Sequence, residues 1–319
     1  RCVCSLLNQT YKDICIVLVE NGSADNSYEI CLKLAAEDRR VKVLRSGCGV
    51  SKARNTGLDF AKSSDAEYFA FVDSDDYVCT DMYRTLICKS QESDSDIVFC
   101  EYNKITDKGV FPQREFDLLQ KLKSKKVNAF FDHKNPVMGA VWRSVFAKNL
   151  IDNRFDEDVY IAEDLLYMVR ALQAARNVEV VDEYFYNYVI GYTSIGAKYG
   201  GKSVVNNAAA FYIALEKVLD PVEYGDLLKT ERFTAYCHCI WTYIKGNKDY
   251  RRKIRAFRKS ESFTVLFHKG DYKVFCRYCN IMERLSAILI KYRLYFVIKI
   301  RFWINNSKNK QHTNTGKAI

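Results

Sequence analysis

Apolar and polar residues alternate along the first part of the chain in a way that predicts strands and helices in turn. The continuous apolar run at 14–19 (ICIVLV) is followed by turn residues and then by a helical pattern over 27–38. A short apolar run at 41–44 precedes a glycine-containing loop, a helix over 52–62 and a further strand at 67–72. This alternation predicts an α/β fold with a doubly wound, mostly parallel, Rossmann-like sheet.

The pattern becomes less regular after the first hundred residues. A helix is predicted over 80–91 and a strand over 96–102. We expect little regular structure in the lysine-rich stretch 104–126, and ordered segments at 136–150 and 157–175. The second of these ends as an amphipathic helix.

Charge changes at the point where the pattern becomes purely helical. We therefore expect a domain at 1–200 and a helical, basic region at 201–319. The first contains 26 Lys and Arg against 30 Asp and Glu and the second 23 against 9, so the net charge of +10 combines −4 with +14. A basic region of this kind favours an anionic partner. It contains no recognisable nucleic-acid-reading module, so we expect a membrane surface and no nucleic acid.

The segment 284–310 is the candidate for that membrane contact. It holds seven Lys or Arg, no acid, and several aromatic residues. Its longest uncharged apolar runs have five or six residues, whereas a bilayer-spanning helix needs about 20. We expect a helix lying in the headgroup layer, with a packed terminal helix as the alternative. The basic stretch 245–260 would extend the same surface.

The 12 cysteines do not suggest a disulfide framework. A chain of 319 residues can bury a core without such bridges, and a reducing cytoplasm is the expected compartment. Cys276 and Cys279 form a CxxC, and Cys237 and Cys239 flank a histidine. Because two tight ligand pairs are lacking, buried thiols are favoured over a zinc site.

Three aspartates follow the strand at 67–72 directly, in the sequence FVDSDDYV. Residues two apart at a strand end point the same way, so Asp73 and Asp75 can converge on one cation. Such a pair favours Mg²⁺ or Mn²⁺, which completes its coordination with phosphate oxygens and water, so the expected ligand is a diphosphate. The alternative is a solvated turn that caps the helix at Thr80 and Asp81. Asp76 is expected to be a local capping acid or an acid that supports Asp73 and Asp75.

Three blocks in this order resemble the family 2 glycosyltransferases of the GT-A fold. They are SLLNQTYKDICIVLVENGSADNS (5–27), GVSKARNTGLDFAKSSDAEYFAFVDSDDYV (49–78) and IAEDLLYMVRAL (161–172). The resemblance is strongest to the bacterial branch that builds capsules, O-antigens and other cell-surface polysaccharides. It implies an inverting, metal-assisted transfer from a nucleotide-diphospho-sugar to a glycan or lipid-linked acceptor, at the inner face of the plasma membrane. It also implies that the first strand of the family lies before residue 1.

The resemblance assigns donor-side roles to five residues. Asp75 would bind the metal, and Asp73 would lie at the ribose and metal side of the nucleotide. Arg54, from the ARN block, would contact the nucleotide. Glu20 and Asn21 stand in the loop that contacts the base, where relatives usually have two acids or Asn-Asp. Asn21 keeps an amide oxygen as acceptor, so a UDP-linked donor is the expectation.

The same resemblance assigns the acceptor side to the ED block. Asp164 would take the proton of the attacking hydroxyl, with Glu163 as its neighbour and a contact to the acceptor. From the residues alone, a charged first turn of a helix is the alternative. Trp142 and His133 are weaker candidates for lining the acceptor, because an interior aromatic and a surface histidine are more common.

Departures from the family motivate a second hypothesis, a catalytically impaired scaffold or donor-binding protein. Asn21 replaces an acid, and the first strand is expected to lie outside this sequence. Val189 and Ile190 stand where relatives often carry a basic residue, so no diphosphate contact is expected from that loop.

Overall fold

The computed structural model describes residues 1–124, 127–131, 139–190, 201–246, 249–278 and 281–295. It divides into two compact units, Arg1–Ala197 and Lys198–Ile319. All strands of the described residues lie in the first unit, and the elements described in the second are helices. His133 and the 296–310 part of the predicted tail lie outside the described residues.

The first unit opens with the predicted alternation of helices and strands. Its elements are α1 (Cys2–Leu7), β1 (Ile16–Glu20), α2 (Ser27–Glu37), β2 (Val41–Arg45) and α3 (Val50–Ser63). Strands β1 and β2 are parallel, paired from Ile16 opposite Val41 to Glu20 opposite Arg45. Their β-branched and aliphatic residues favour the extended backbone, and polar turn residues separate each strand from its helix. The predicted elements of this region are confirmed.

A six-stranded sheet forms the rest of the first unit. Its strands are β3 (Tyr68–Ala70), β4 (Tyr77–Val78), β5 (Ile97–Thr106), β6 (Gly109–Gln113), β7 (Ser144–Ala147) and β8 (Val178–Val189). They run in the order β3-β7-β5-β8-β4, with β6 beside β5. Three helices accompany it: α4 (Met82–Ser93), α5 (Phe116–Leu119) and α6 (Glu163–Ala174).

Strand direction in this sheet differs from the prediction. The α/β class is confirmed, and β5 and β8 are parallel. The described pairs β3–β7, β5–β7, β5–β6 and β4–β8 are antiparallel, so a mostly parallel sheet is wrong for this part of the fold. The reason is clearest at β6, which returns along β5 through a tight turn, and a short turn between two strands makes them antiparallel.

The stretch 104–126 is more regular than predicted. Strand β5 continues to Thr106, and β6 pairs with it from Thr106 opposite Gly109 to Tyr102 opposite Gln113. Gly109 has φ +129, a conformation that L residues with a side chain rarely adopt, and it makes the turn possible. The residues of β6 are largely exposed, which conceals the alternation that normally reveals a strand.

Aromatic packing fixes the chain just ahead of residues 73–76, which carry three aspartates and are called the acidic turn below. The ring of Phe71 lies edge-on to Phe146, Phe155 and Tyr167, with centroids 5.2–6.0 Å apart. Tyr167 and Phe146 are fully buried, and Phe155 stacks on Tyr167 at 4.2 Å. This cluster gives the residues that follow Phe71 a rigid base.

The second unit is helical, as predicted. Its helices are α7 (Gly201–Val218), α8 (Pro221–Gly246), α9 (Tyr250–Phe257), α10 (Glu261–Leu266), α11 (Asp271–Tyr278) and α12 (Ile281–Lys291). A bidentate pair joins Arg232 to Asp271, at 2.6 and 3.1 Å. Cys239 is buried in α8 and Cys276 half-buried in α11, while Cys279 lies outside the described residues.

The described part of the predicted membrane segment is packed against its own unit. Ala287 and Ile290 of α12 are fully buried, and the Tyr295 hydroxyl accepts a hydrogen bond of 2.6 Å from Arg258. Residues 284–295 thus have a packed face, as in the alternative, whereas Leu285, Tyr292 and Leu294 are exposed, and contact with the headgroup layer stays a prediction. Every helix within the described ranges is too short or too polar to cross a bilayer.

Candidate active site

The buried carboxylate of Asp76 holds the acidic turn in place through hydrogen bonds to strand β8. It is 1% exposed, and its Oδ2 and Oδ1 accept hydrogen bonds of 2.7 Å from the Tyr186 hydroxyl and the Val189 backbone N–H. Burial raises the pKa of Asp76 to about 6. The helix that follows begins after Asp81, whose side chain makes no capping hydrogen bond. Asp76 therefore anchors the turn to strand β8 and does not cap the helix.

The other two aspartates keep carboxylate oxygens for a ligand. Asp73 accepts a hydrogen bond from Arg54 on Oδ1 at 3.0 Å, and its backbone N–H donates to the Tyr186 hydroxyl at 3.2 Å. Asp75 is exposed, and in the described part of the chain its carboxylate makes no hydrogen bond or ion pair. Its carbonyl oxygen accepts a hydrogen bond of 2.6 Å from Arg1.

Arg54 of α3 joins the two acidic motifs. Its Nη1 donates to Glu163 at 2.9 Å and its Nη2 to Asp73 at 3.0 Å. The guanidinium lies 5.2 Å from the centre of the Phe155 ring, and the side chain is only 12% exposed. A planar fork of this kind holds two carboxylates in a fixed relation, so the turn after β3 and the start of α6 form one site.

Asp164 is enclosed beside this ion-pair network. Helix α6 begins at Glu163, so both acids lie in its first turn. Burial and then the neighbouring Glu163 carboxylate raise the pKa of Asp164 to about 6, against the opposing effect of Arg54. The Leu165 N–H donates to its Oδ1 at 2.8 Å. A carboxylate with this pKa is mostly ionised at neutral pH and still basic enough to accept a proton, as a general base requires.

The loop after β1 is shaped by Glu20 and Gly22. The Glu20 side chain is 2% exposed and accepts hydrogen bonds from the Ser23 backbone N–H and from Arg45, and the Ser23 bond lowers its pKa. Gly22 has φ +86, and a Cβ there would lie 2.6 Å from the Cys48 sulfur. Asn21, between them, is partly exposed.

Not all of the predicted site residues meet in one contact network. The structure brings together Asp73, Arg54 and Glu163, with Asp164 next to Glu163. Among the described residues, no hydrogen bond or ion pair joins Glu20 or Asn21 to this group. The expected nucleotide contacts of those two residues stay predictions.

Asp73 and Asp75 suit a divalent ion whose remaining ligands are phosphate oxygens and water. Within the described residues, no group of three or more His, Cys, Asp or Glu side chains is arranged to hold a metal. Magnesium needs only one or two protein carboxylates when phosphate oxygens and water complete its shell. The Asp75 carboxylate and the Asp73 oxygen not bonded to Arg54 therefore fit a metal–diphosphate complex by donor type.

Sequence reasoning named Trp142 but missed its partners Tyr186 and Tyr188 beside the acidic turn. Trp142 is 4% exposed, as an interior aromatic, and stacks on Tyr186 at 4.2 Å and on Tyr188 at 5.5 Å. The sequence signal was the spacing of Tyr184, Tyr186 and Tyr188, which puts alternate residues of one strand on the same face. Nothing in that spacing shows that the strand meets a turn a hundred residues earlier.

Comparison with known proteins gives one consistent family. The model of glycosyl transferase family 2 matches residues 1–150. The uncharacterized glycosyltransferase EpsJ of Bacillus subtilis 168 is 34% identical over 323 residues, covering 95% of this chain and 91% of its own. The poly(ribitol-phosphate) β-N-acetylglucosaminyltransferase TarP of Staphylococcus aureus N315 is 30% identical over 195 residues, covering 60% of this chain and 58% of its own.

Solved structures support the fold independently of close sequence similarity. The crystal structure of S. aureus TarS 1–349 in complex with UDP-GlcNAc aligns with a TM-score of 0.65, 17% identity, and coverage of 98% of this chain and 87% of that one. At this identity the likeness concerns the fold, and it confirms the predicted GT-A class. The nearly full-length similarity to EpsJ and the match to the family model show that this chain belongs to glycosyl transferase family 2 and is a glycosyltransferase.

Proposed function

We propose that this enzyme transfers a sugar, with inversion, from a UDP-linked donor to a hydroxyl group of a glycan or lipid-linked acceptor. The observation that supports this most is the bonding of Arg54 to both Asp73 and Glu163. A displacement in one step needs the donor and the catalytic base side by side, and one guanidinium links the motifs that would supply them.

Asp75 and Asp73 would hold Mg²⁺ or Mn²⁺ together with the donor diphosphate. When bound, such an ion neutralises the negative charge that develops on the leaving diphosphate. Arg54 keeps Asp73 oriented through one oxygen and leaves the other for this role. In the described structure the Asp75 carboxylate has no protein partner, which supports its assignment as the main ligand.

Asp164 would act as the general base and Glu163 as a contact to the acceptor. The pKa of Asp164, raised to about 6, keeps it ionised at neutral pH yet able to take the proton of the attacking hydroxyl. Arg54 fixes the Glu163 carboxylate beside it.

On the donor side, Asn21 would accept a hydrogen bond from the base and Glu20 would hold the loop in shape. Arg54 would contact the nucleotide through its remaining N–H groups. UDP-GlcNAc, bound in the similar TarS structure, is the first donor to test.

We further propose that the enzyme takes part in cell-surface polysaccharide synthesis at the cytoplasmic face of the plasma membrane. The acceptor in the name of TarP, poly(ribitol phosphate), supports an acceptor of this class. The net charge of +14 in residues 201–319 supports contact with anionic lipid.

Replacement of Asp164 by Asn tests the proposal. Transfer from UDP-GlcNAc with Mn²⁺ to a panel of octyl β-glycosides should fall by about 10²–10⁴-fold, because the base is lost. Donor binding, measured by calorimetry, should be retained. The matched control is Asp65→Asn, which changes an exposed acid of the same unit.

Unchanged turnover in Asp164→Asn would contradict the assignment of the base. Metal-dependent donor binding without transfer by the wild-type protein to any sugar would instead favour the donor-binding scaffold.

A further inference from the structure

Strand β8 is fastened to the acidic turn on both sides of Tyr188. The Tyr186 hydroxyl donates to Asp76 at 2.7 Å and accepts from the Asp73 backbone N–H at 3.2 Å. The Val189 N–H donates to the other oxygen of Asp76, also at 2.7 Å. Tyr188 lies between these two attachments, so its backbone is held next to the turn that carries Asp73 and Asp75.

The ring of Tyr188 is the one partly exposed member of a rigid aromatic group. Tyr186 and Tyr188 are two residues apart in a strand and both stack on Trp142, with interplanar angles of 22° and 7°. Tyr102 lies edge-on to Trp142 and to Tyr188, at 5.2 and 6.5 Å. Tyr186, Trp142 and Tyr102 are buried, whereas Tyr188 is only half-buried. The ring of Tyr188 is therefore held by packing against Trp142 and remains partly accessible to solvent.

The hydroxyl of Tyr188 is influenced by the charge of the acids of the site. In the described part of the molecule it makes no hydrogen bond. Burial raises its pKa, and the carboxylates of Asp76, Asp75, Asp73 and Asp164 raise it further. Because residues two apart in a strand share a face, the side chain of Tyr188 lies on the same side of β8 as Tyr186, whose hydroxyl contacts Asp73 and Asp76 of the turn.

We propose that Tyr188 contacts substrate and holds a pyranose ring at the point of transfer. This inference rests on the proposed function. A half-exposed tyrosine offers an apolar face to the C–H groups of a sugar and a hydroxyl to one of its oxygens. The stack behind it keeps the ring in one orientation, so binding orders little that is not already ordered. The pyranose can belong to the acceptor or to the donor, and the experiment distinguishes the two.

The test compares Tyr188→Leu and Tyr188→Phe with the wild-type enzyme in transfer from UDP-GlcNAc with Mn²⁺ to the best octyl β-glycoside of the panel. We expect Leu to raise the KM of one of the two sugar substrates by about tenfold, because the stacking face is lost. Phe should raise the same KM by about two- to fivefold, because only the hydroxyl is lost. A rise confined to the octyl glycoside assigns the ring to the acceptor, and a rise confined to UDP-GlcNAc assigns it to the donor.

Two matched variants control for structural damage. Phe185→Leu truncates another partly buried aromatic residue of the same strand that packs against the same core, and Tyr167→Phe removes a buried hydroxyl that has no hydrogen-bond partner among the described residues. Both should leave the two KM values within twofold of the wild type.

If both KM values stay within twofold in Tyr188→Leu and Tyr188→Phe while the wild type transfers normally, the inference is overturned and the proposed function stands. If Tyr188→Leu fails to fold, Tyr188→Phe decides, since it keeps the ring and its packing. Failure of the wild type to transfer at all would count against the proposed function itself.

Discussion

At the residue scale, Asp164 links the proposed chemistry to the stability of the fold. Its pKa is raised by burial from the ordinary 3.8 to about 6, so the folded state binds its proton more tightly than the unfolded state does. The stabilisation from that proton is fully present below pH 3.8 and is lost as the pH rises through 6. Ionisation of Asp164 thus costs the folded state about 3 kcal/mol at neutral pH.

The raised pKa of Asp164 predicts one effect on stability and one on activity. At pH 7.5 the variant Asp164→Asn should be more stable than the wild type by about 1–3 kcal/mol, because it removes a buried charge, and this gain should shrink towards pH 4. The wild-type kcat/KM should fall as the pH drops below about 6, since the base becomes protonated. Chemical denaturation at several pH values and a pH–rate profile measure both effects.

Glu163→Gln is the matched control for the stability effect. Glu163 forms an ion pair with Arg54, so its replacement should lower stability at pH 7.5. Equal stability changes of the same sign in the two variants would contradict the assigned environments.

Single residues of this site were only partly predictable from the sequence. Asp73, Asp75, Glu163 and Asp164 could be named because they stand in short motifs that resemble a family. The double contact of Arg54 could not, because it joins residues that are remote in sequence, and only the folded chain brings them within 3 Å.

At the scale of elements, the Tyr186 hydroxyl is one of two groups through which strand β8 supports the acidic turn, the other being the Val189 backbone N–H. The Tyr186 hydroxyl is bonded to both Asp76 and the Asp73 backbone. Tyr186→Phe should therefore loosen the turn. We expect kcat to fall by about 10-fold or more, because small displacements of catalytic groups are costly, and the concentration of Mn²⁺ needed for half-maximal activity to rise.

Tyr167→Phe is again the control, because Tyr167 is equally buried but its hydroxyl has no hydrogen-bond partner in the described part of the chain. It should leave activity unchanged. If Tyr186→Phe changes only the melting temperature and not the Mn²⁺ dependence, the hydroxyl serves folding alone.

Regular elements were predicted best where their burial pattern was plain. Strands β1 and β2 and helices α2 to α4 agree with the prediction within a few residues. The hairpin of β5 and β6 was missed because the exposed side chains of β6 do not alternate with buried ones. Strand direction was overpredicted as parallel, because a local pattern shows that a strand exists but not which neighbour it pairs with.

At the scale of the whole molecule, charge is concentrated on a helix with a clear division of faces. Helix α9 buries Tyr250, Ile254 and Phe257. Its exposed residues include Arg251, Arg252, Lys253 and Arg255. Because the apolar face is used within the unit, only cations remain to meet a surface, and each adds about 1 kcal/mol near anionic lipid.

Replacement of these four cations by Ser should weaken binding to vesicles of phosphatidylglycerol and phosphatidylcholine by at least about tenfold at low salt. Co-sedimentation measures the effect. The control replaces Lys33, Arg39, Lys42 and Lys108, four exposed cations of the first unit, by Ser, which keeps the same net charge. Equal loss in both variants would show that net charge, and not α9, determines binding. Binding that is unaffected by salt would contradict an electrostatic contact.

The position of the Cys48 sulfur close to Gly22 also bears on attempts to redesign the proposed donor choice. A Cβ added at position 22 would lie 2.6 Å from the Cys48 sulfur. The backbone there also has a positive φ, which residues with a side chain rarely adopt, so Gly22 is unsuitable for substitution. Variation at Asn21 avoids both obstacles. A redesign that needs more space in the loop would have to begin with a smaller residue at position 48, and only then alter the residues that we propose to contact the base.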